Sequence, residues 1–406
     1  MSNIRLEKLK VKNFKAFADI EVRDIPKYAV FVGANGVGKS TFFSIFEFLK
    51  EAMNGNVSIA LAKLGGNKGI QEVRSRNKTG AIEIELKFRE GGRSVSGGQN
   101  PLITYMLHVN DKNGKPYVER ERLSYVRGNR GGKPWYFIDF RGGEGYAVEN
   151  EMDKDSVKSE KDLTRTPQKL KSSDILAIKG LAQFEKFPAV RLLGDLIENW
   201  HISDFHISSA RKEQDVGYVE HLSRDGDNLS LAIQYLYNNH KEIFDRIIES
   251  MKKRIPGVSE IEATTTDEGK VLLKIKDGSF EEPFLAKFVS DGTMKMLAYL
   301  VLLYDPNPFP LLCIEEPENQ LYPSLLETLS EEFRAYSIRG NQVFVSTHSP
   351  DFLNATKINE VFFLIKRDGY TTIKTASSFE QAKIYMENGD KMGYLWTQGF
   401  FEGVNP

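Results

Sequence analysis

The chain of 406 residues is poor in the features that mark secreted or membrane proteins. It contains one cysteine, Cys313, so no disulfide can form within it, which is typical of a reducing compartment. Its first residues alternate between charged and apolar and lack the apolar core of a signal peptide. The longest apolar run, Met296 to Tyr304, is too short to span a bilayer. The sequence therefore predicts a cytoplasmic protein with no membrane segment.

An excess of charge of either sign is also lacking. The formal net charge is −1, so no global field draws the protein toward nucleic acid, and any DNA contact must come from a local patch. No heptad repeat is sustained anywhere, which excludes a long coiled-coil arm.

One stretch that is present organises the rest. Residues 33–40 read Gly-Ala-Asn-Gly-Val-Gly-Lys-Ser, between a strand-like apolar run and a helix-like stretch from Thr41 to Met53. Glycines let backbone N–H groups turn toward phosphate oxygens, and the helix N-terminus adds a positive dipole end. Lys39 is predicted to bridge the β- and γ-phosphates, and the Ser40 hydroxyl to bind Mg²⁺. A glycine-rich turn with a chance lysine is the alternative, but spacing and context favour a nucleoside triphosphate site.

The pattern divides the chain into three segments. Residues 1–90 begin with two or three strands and contain the phosphate loop. Residues 91–205 form an insertion of antiparallel strands, with turns at Gly97-Gly98 and Asn113-Gly114, then a polar stretch from 150 to 175 that is a mobile loop or a solvated helix, then a helix. Residues 206–406 contain one long helical region from Asn228 to Arg254 and then alternate strands with helices, which predicts a mostly parallel sheet covered on both faces.

Two carboxylates end a buried strand in the last segment. Residues 311–316 read Leu-Leu-Cys-Ile-Glu-Glu, and a parallel strand delivers such terminal side chains to the ligand crevice. We expect Glu315 to hold Mg²⁺ and Glu316 to polarise the attacking water. A solvated strand end is the alternative, and the phosphate loop favours the functional interpretation.

Two further motifs admit a structural and a functional interpretation. Ser290 or Asp291 could simply cap the apolar helix that follows, or Ser290 and the Gly292 backbone could meet a γ-phosphate. His348 follows a buried strand and is either a structural residue or a γ-phosphate sensor. The companion motifs favour the functional interpretation of both.

Together these motifs resemble the ABC-type ATPase superfamily, in the branch that contains RecF, SMC and OLD-family heads. Residues 33–40 resemble Walker A, 289–293 the signature motif, 311–316 Walker B, and His348 the switch histidine. The resemblance covers both ends of the chain and also includes residues 12–17, 221–229, 315–323 and 346–350. Glu315 stands where most ABC proteins have aspartate, and the signature reads Ser-Asp-Gly-Thr rather than Ser-Gly-Gly-Gln.

The resemblance implies a fold, a set of site residues and an assembly. The fold would be an ABC-type P-loop NTPase with an N-terminal antiparallel subdomain, a mostly parallel core sheet and an α/β insertion between Walker A and the signature. Glu316, His348 and Lys39 would be catalytic, and Ser40, Glu315 and a Q-loop Gln71 would bind Mg²⁺, although a surface glutamine explains Gln71 equally well. Two copies would sandwich ATP, with these nucleotide contacts: Gly33, Asn35, Gly36, Gly38, Lys39, Ser40, Thr41, Ser290 and Gly292.

Two functions remain open for a protein whose copies would join around ATP and separate on its hydrolysis. The first acts on double-stranded DNA, in repair or anti-phage defence, through basic stretches at Arg120–Arg141 and Lys154–Lys171 that could equally be solvated faces. The second is an ATPase scaffold, as a dimer or a larger assembly, that controls a separate nuclease or toxin. No Toprim-like nuclease block follows His348, which favours the second, and the insertion or the aromatic tail Tyr394–Phe401 would then be a docking surface unless the tail packs on the sheet. A transporter subunit or a small-molecule kinase fits the motifs less well.

Overall fold

The computed structural model describes residues 4–76, 78–90, 102–125, 134–150 and 159–403. The strands are β1 (Ile4–Phe14), β2 (Phe17–Val22), β3 (Tyr28–Val32), β4 (Ile82–Glu90), β5 (Leu102–Lys112), β6 (Lys115–Tyr125), β7 (Trp135–Arg141), β8 (Glu144–Val148), β9 (Arg165–Lys169), β10 (His201–Ser203), β11 (Gln214–Asp215), β12 (Val258–Thr265), β13 (Lys270–Asp277), β14 (Phe284–Leu285), β15 (Leu311–Glu315), β16 (Gln342–Thr347), β17 (Val361–Arg367) and β18 (Tyr370–Thr375).

The α-helices are α1 (Lys39–Asn54), α2 (Val57–Gly65), α3 (Ile70–Val73), α4 (Ala177–Ala182), α5 (Pro188–Glu198), α6 (Ile207–Ala210), α7 (Leu229–Asn239), α8 (Lys241–Arg254), α9 (Asp291–Leu303), α10 (Pro323–Ile338), α11 (Pro350–Leu353), α12 (Glu380–Glu387) and α13 (Met392–Thr397). None of the helices in the described ranges has the length and apolarity needed to cross a bilayer.

A central sheet with the order β10-β15-β16-β3-β17-β18 carries the predicted motifs. Its first five strands are parallel, and β18 pairs antiparallel with β17. Alternate residues enter two cores: Phe31 and Phe344 face one, whereas Val30 and Val345 face the other. The sheet is therefore covered on both faces, as the apolar runs predicted. Because the strands are parallel, the carboxyl ends of β3, β15 and β16 meet at one edge.

An antiparallel sheet with the order β2-β1-β4-β5-β6-β7-β8-β9 packs on the first of these cores together with α1, α4 and α5. The β5–β6 hairpin turns at Asn113 and Gly114, whose φ angles are 55° and 77°, as the Asn-Gly pair predicted. The expected boundary at residue 90 falls between the paired strands β4 and β5. The segment 91–205 thus extends the sheet that the segment 1–90 begins.

A third, smaller sheet has the order β11-β13-β12, with β14 also paired to β13. Its residues Ile261 and Leu273 belong to the second core, beside α7, α8 and α9. The alternation in β12 was not recognised in the sequence, because its inward positions include Ala263 and Ser259 rather than only large apolar residues.

Several sequence predictions need correction. The polar stretch 150–175 is not only loop or helix, since β9 forms the edge of the antiparallel sheet and pairs with β8. The apolar run Val361 to Lys366 predicts a final edge strand, but β18 lies outside β17 in the sheet. The helical region from Asn228 to Arg254 is two helices, broken at His240, where φ is −139° and ψ is 55°. The Gly97-Gly98 turn and the parts of the basic stretches at 126–133 and 154–158 lie outside the described residues.

Candidate functional site

The phosphate loop leaves β3 and enters α1 through two left-handed glycines. Gly36 and Gly38 have φ angles of 77° and 105°, which L side chains rarely adopt. A Cβ on Gly33 would lie 2.7 Å from Cγ2 of Val37 and 2.9 Å from the carbonyl oxygen of Leu364. The N-cap residue of α1 is Gly38, which has no side chain to accept from the N–H groups of the first turn. Those N–H groups are therefore available to an anion, which is the fit that a phosphate requires.

Lys39 is folded over the loop that precedes it. The residue is 5% exposed, and its Nζ donates to the carbonyl oxygens of Gly33 at 2.9 Å and Ala34 at 3.2 Å. The same Nζ lies 3.4 Å from Oε1 of Glu316. The ammonium thus already sits between the phosphate loop and the end of β15.

Ser40 and Glu315, the residues predicted to bind Mg²⁺, lie next to each other, with the Ser40 side chain beside the Glu315 carboxylate. Their role as metal ligands stays a prediction. Burial raises the pKa of Glu315, and the Ser40 side chain opposes that rise. Hydroxyl and carboxylate oxygens are the hard ligands that Mg²⁺ prefers. No group of three or more His, Cys, Asp or Glu side chains within the described ranges has the arrangement to hold a metal, so water and phosphate oxygens would complete its shell.

Asp204 is a neighbour of this pair that the sequence interpretation missed. It follows β10, whose last residue Ser203 is in register with Ile314, so Asp204 emerges beside Glu315. Its charge helps to raise the pKa of Glu315, after the larger effect of burial. A three-residue strand gives no periodicity to detect, so only the position of Asp204 after Ile202 and Ser203 could have indicated it.

Arg224 balances these carboxylates from the segment 221–229. It forms an ion pair with Glu47 of α1, and its backbone carbonyl accepts from the N–H of Asp204. Its charge also lowers the pKa of Glu315, against the dominant effect of burial. This segment, which the sequence only matched by resemblance, therefore ties α1 to the strand ends beside the predicted metal site.

Glu316 is the point at which the predicted catalytic residues converge. Its Oε1 lies 3.2 Å from Nδ1 of His348 as well as 3.4 Å from Nζ of Lys39, and its Oε2 accepts from Asn319 at 3.2 Å. Burial acts to raise the pKa of Glu316, but the Asn319 hydrogen bond and the charges of His348 and Lys39 outweigh it and lower the pKa. Glu316 is therefore a carboxylate at neutral pH. Its φ of 40° turns the chain sharply after β15.

His348 is held by a second carboxylate, Glu318, which the sequence interpretation did not assign. The backbone N–H of His348 and the Thr347 hydroxyl both donate to Oε1 of Glu318 at 2.8 Å. Nδ1 of His348 lies 3.3 Å from the same oxygen, but among the described residues it makes no hydrogen bond of acceptable geometry. That ring nitrogen thus lies between a carboxylate oxygen of Glu316 and one of Glu318.

Within the described ranges, the segment 289–293 contacts its own helix, Arg211 and the turn at Gln320. Ser290 is exposed and caps α9, accepting from the N–H of Thr293 at 3.3 Å, as the capping alternative predicted. A Cβ on Gly292 would lie 3.3 Å from the carbonyl oxygen of Gln320. The phosphate-binding roles of Ser290 and Gly292 stay predictions, and within one chain their described contacts are to Thr293 and Gln320.

Gln71 lies exposed on the four-residue helix α3. Burial lowers the pKa of Lys15 in the β1–β2 turn. The charges of Glu47 in α1 and of Glu72, next to Gln71, both act against that lowering. The segment is thus close to α1, while the Mg²⁺ role of Gln71 stays a prediction.

Comparisons with known proteins agree with this architecture. A family model described as "AAA domain, putative AbiEii toxin, Type IV TA system" matches residues 29–354. The Old nuclease of Escherichia phage P2 is 24% identical over an alignment 202 residues long, which covers 44% of this chain. The aligned part is 34% of that protein, so the chain spans about a third of the length of the curated relative it matches.

Among solved structures, an SMC head bound to the C-winged helix domain of ScpA has a TM-score of 0.51 at 16% identity, covering 91% of this chain and 96% of that one. This likeness shows the fold, and it confirms the P-loop NTPase architecture expected from the sequence.

Proposed function

The chain belongs to the AAA-domain family whose model matches residues 29–354, and from that premise we propose that it is an ATPase whose copies join head to head around ATP. The family is one of nucleotide-hydrolysing ATPases, and the expected kinship with SMC and OLD-type heads is confirmed. The convergence of Lys39 and His348 on one oxygen of Glu316 is the observation that supports hydrolysis most directly.

Each of these three side chains has a distinct role in the proposed reaction. The Glu316 carboxylate accepts a hydrogen bond from water and orients that water toward the γ-phosphorus. Lys39 exchanges its hydrogen bonds to the loop carbonyls for hydrogen bonds to the β- and γ-phosphate oxygens. The exchange is favourable because a charged phosphate oxygen is a stronger acceptor for an ammonium than a neutral carbonyl is. His348 donates to the γ-phosphate, and its position is set by Glu318.

Magnesium fits the oxygen pair at the end of β15. When bound by Ser40 and Glu315, it would neutralise charge that develops on the phosphates. Ser40 is placed for this because it begins α1 next to Lys39, and Glu315 because β15 ends at the same sheet edge as β3. We assign Asp204 to the outer shell of this site.

Dimerisation is proposed because the hydrogen bonds described for Ser290 lie within its own helix, which leaves its exposed face open to a second copy. Ser290 is exposed at the start of α9, where a nucleotide held by a second copy can reach it. The remaining predicted contacts, Asn35, Gly36 and Thr41, would bind the nucleotide of their own copy. Hydrolysis would then release the pair.

The ATPase proposal is tested by turnover and binding together. We expect Glu316→Gln to lose at least about a hundredfold in kcat while still binding ATP, because the amide retains the shape but not the charge. Lys39→Ala should lose binding itself. A half-buried lysine in the same segment, Lys27→Ala, serves as the control for loss of one positive charge. Wild-type turnover in Glu316→Gln would refute the assigned role.

We propose that the cycle of ATP binding and hydrolysis controls a separate effector protein rather than acting directly on DNA. Arg120 and Arg122 of the basic stretch both pair with Asp139, at 3.1 and 3.0 Å. Arg122 also stacks on Tyr136, and Tyr125 stacks on Phe137 at 4.2 Å. Arg120 and Arg122 are thus engaged by carboxylate and aromatic neighbours within the sheet, which favours the scaffold over the DNA alternative. For comparison, the SMC head in the solved structure is bound to a domain of another protein, ScpA.

Fluorescence anisotropy with a double-stranded DNA probe distinguishes the two outputs. The scaffold proposal predicts no binding above about 100 mM salt, where nonspecific contacts are already weak. DNA binding that persists at that salt and is lost in Arg120→Ala/Arg122→Ala would instead support the DNA switch.

A further inference from the structure

Helix α9 buries a lysine just beyond the signature segment. Lys295 is 2% exposed, and its Nζ donates to the carbonyl oxygen of Asn319 at 2.8 Å. Burial lowers the pKa of Lys295 to about 8, while the charges of Glu318, Asp204 and Glu316 act in the opposite direction. An ammonium in such a position costs free energy that an apolar side chain would not. The burial of this ammonium therefore depends on the Asn319 carbonyl and on the carboxylates around it.

The acceptor of this hydrogen bond is itself bound to Glu316. Nδ2 of Asn319 donates to Oε2 of Glu316, and the Asn319 N–H donates to the Glu316 carbonyl oxygen, both at 3.2 Å. The short turn is flanked by two left-handed non-glycine residues, Glu316 with φ of 40° and Gln320 with φ of 66°. Such conformations persist only where neighbouring contacts hold them. Lys295 supplies one of those contacts.

The same two segments meet at a second place. Gly292 approaches the carbonyl oxygen of Gln320 closely enough that a Cβ would lie 3.3 Å from it. Asp291 and Lys295 of α9 also line, together with Asn319 and Gln320, a cavity of about 540 Å³ that opens beside the start of the helix. A displacement of α9 therefore acts on the turn 316–320 through both contacts.

We propose that Lys295 is a positioning residue. Through Asn319, it couples the position of helix α9 to the orientation of the Glu316 carboxylate. The inference rests on the proposed ATPase function and deepens it. Contact of a second copy's nucleotide with Ser290 moves the start of α9, and the Lys295–Asn319 link passes that movement to the residue that orients water. The signature segment then regulates hydrolysis in its own chain as well as in the partner's site.

Steady-state ATPase measurements on Lys295→Met, Asn319→Ala and the double variant test the coupling. Each single variant is expected to lose about tenfold in kcat with KM for ATP unchanged. Lys295→Met removes the hydrogen bond to the Asn319 carbonyl, and Asn319→Ala removes the hydrogen bond to Glu316, while the phosphate loop stays intact. The double variant should be no slower than Asn319→Ala, since both act along one path. Lys287→Met removes an exposed lysine upstream of Ser290 and should have wild-type kcat.

Asn319→Ala keeps Lys295 and the backbone carbonyl that it binds, so it tests the step from Asn319 to Glu316 even where Lys295→Met fails to fold. Wild-type kcat in Asn319→Ala, or losses in the two single variants that multiply in the double variant, would overturn the coupling while leaving the ATPase proposal intact. If the wild-type protein does not hydrolyse ATP, or if Lys39→Ala hydrolyses it equally fast, the ATPase proposal is wrong and the coupling with it.

Discussion

The buried carboxyl of Glu121 gives the sharpest test of the fold, because its energetics can be worked out from its contacts. Glu121 lies on β6 with no exposed surface and accepts from the Tyr105 hydroxyl at 3.1 Å and from the N–H groups of Ala177 and Ile178 at 2.5 and 3.0 Å. It therefore joins the antiparallel sheet to α4, which packs near α1. Burial raises the pKa of Glu121 from 4.5 to about 7, although the three hydrogen bonds each act to lower it.

The raised pKa fixes the sign of a pH effect on stability. The folded state binds the Glu121 proton more tightly than the unfolded state, so the contribution is fully present below pH 4.5 and is lost as the pH rises through about 7. The loss amounts to about 3 kcal/mol of unfolding free energy. Glu121→Gln does not titrate. We therefore expect the unfolding free energy of the variant minus that of the wild type to rise by about 3 kcal/mol between pH 4.5 and pH 8.

Urea unfolding at several pH values, followed by tryptophan fluorescence, measures this difference. Subtraction of the wild-type curve removes the titrations that the two proteins share. Glu119→Gln, an exposed carboxyl two positions earlier, is the matched control and should give a flat difference. A flat difference for Glu121→Gln as well would refute the assignment of a buried, proton-binding carboxyl.

Three other substitutions test separate parts of the account. Glu318→Ala should lower kcat about tenfold with little change in ATP affinity, as the His348 N–H loses its acceptor; unchanged kcat would contradict the positioning of His348. Gly33→Ala should weaken ATP binding at least about tenfold in titration calorimetry, because its Cβ would lie 2.7 Å from Val37; wild-type affinity would contradict the loop geometry. Phe401→Ala should cost about 3–5 kcal/mol in thermal unfolding, because the ring is 1% exposed and stacks on Phe363 at 4.5 Å; a neutral result would restore the tail as a docking surface.

The site was predictable from the sequence where a motif follows a strong strand. Residues 33–40, Glu315 and His348 each follow an apolar run of strand length, and the parallel arrangement of those runs brings them to one edge. Sequence spacing alone thus placed Lys39 and Glu316 in one crevice.

The residues that were missed depend on tertiary neighbours rather than on a local pattern. Asp204 follows a three-residue strand that gains its position only by pairing with β15. Glu318 and Lys295 derive their roles from contacts to His348 and Asn319, in elements distant along the chain. The polar β9 forms a strand because β8 supplies its hydrogen bonds, which local composition cannot reveal.

The central claim, that two copies join around ATP through Ser290, is tested most directly by the mass in solution of Glu316→Gln with Mg²⁺ and ATP. Sedimentation should show a dimer with ATP and a monomer with ADP, because the variant holds the nucleotide without hydrolysing it. The double variant Glu316→Gln/Ser290→Arg should bind ATP with unchanged affinity and stay monomeric, since the new side chain blocks the start of α9. An ATP-dependent dimer of the double variant, equal to that of Glu316→Gln, would contradict the sandwich.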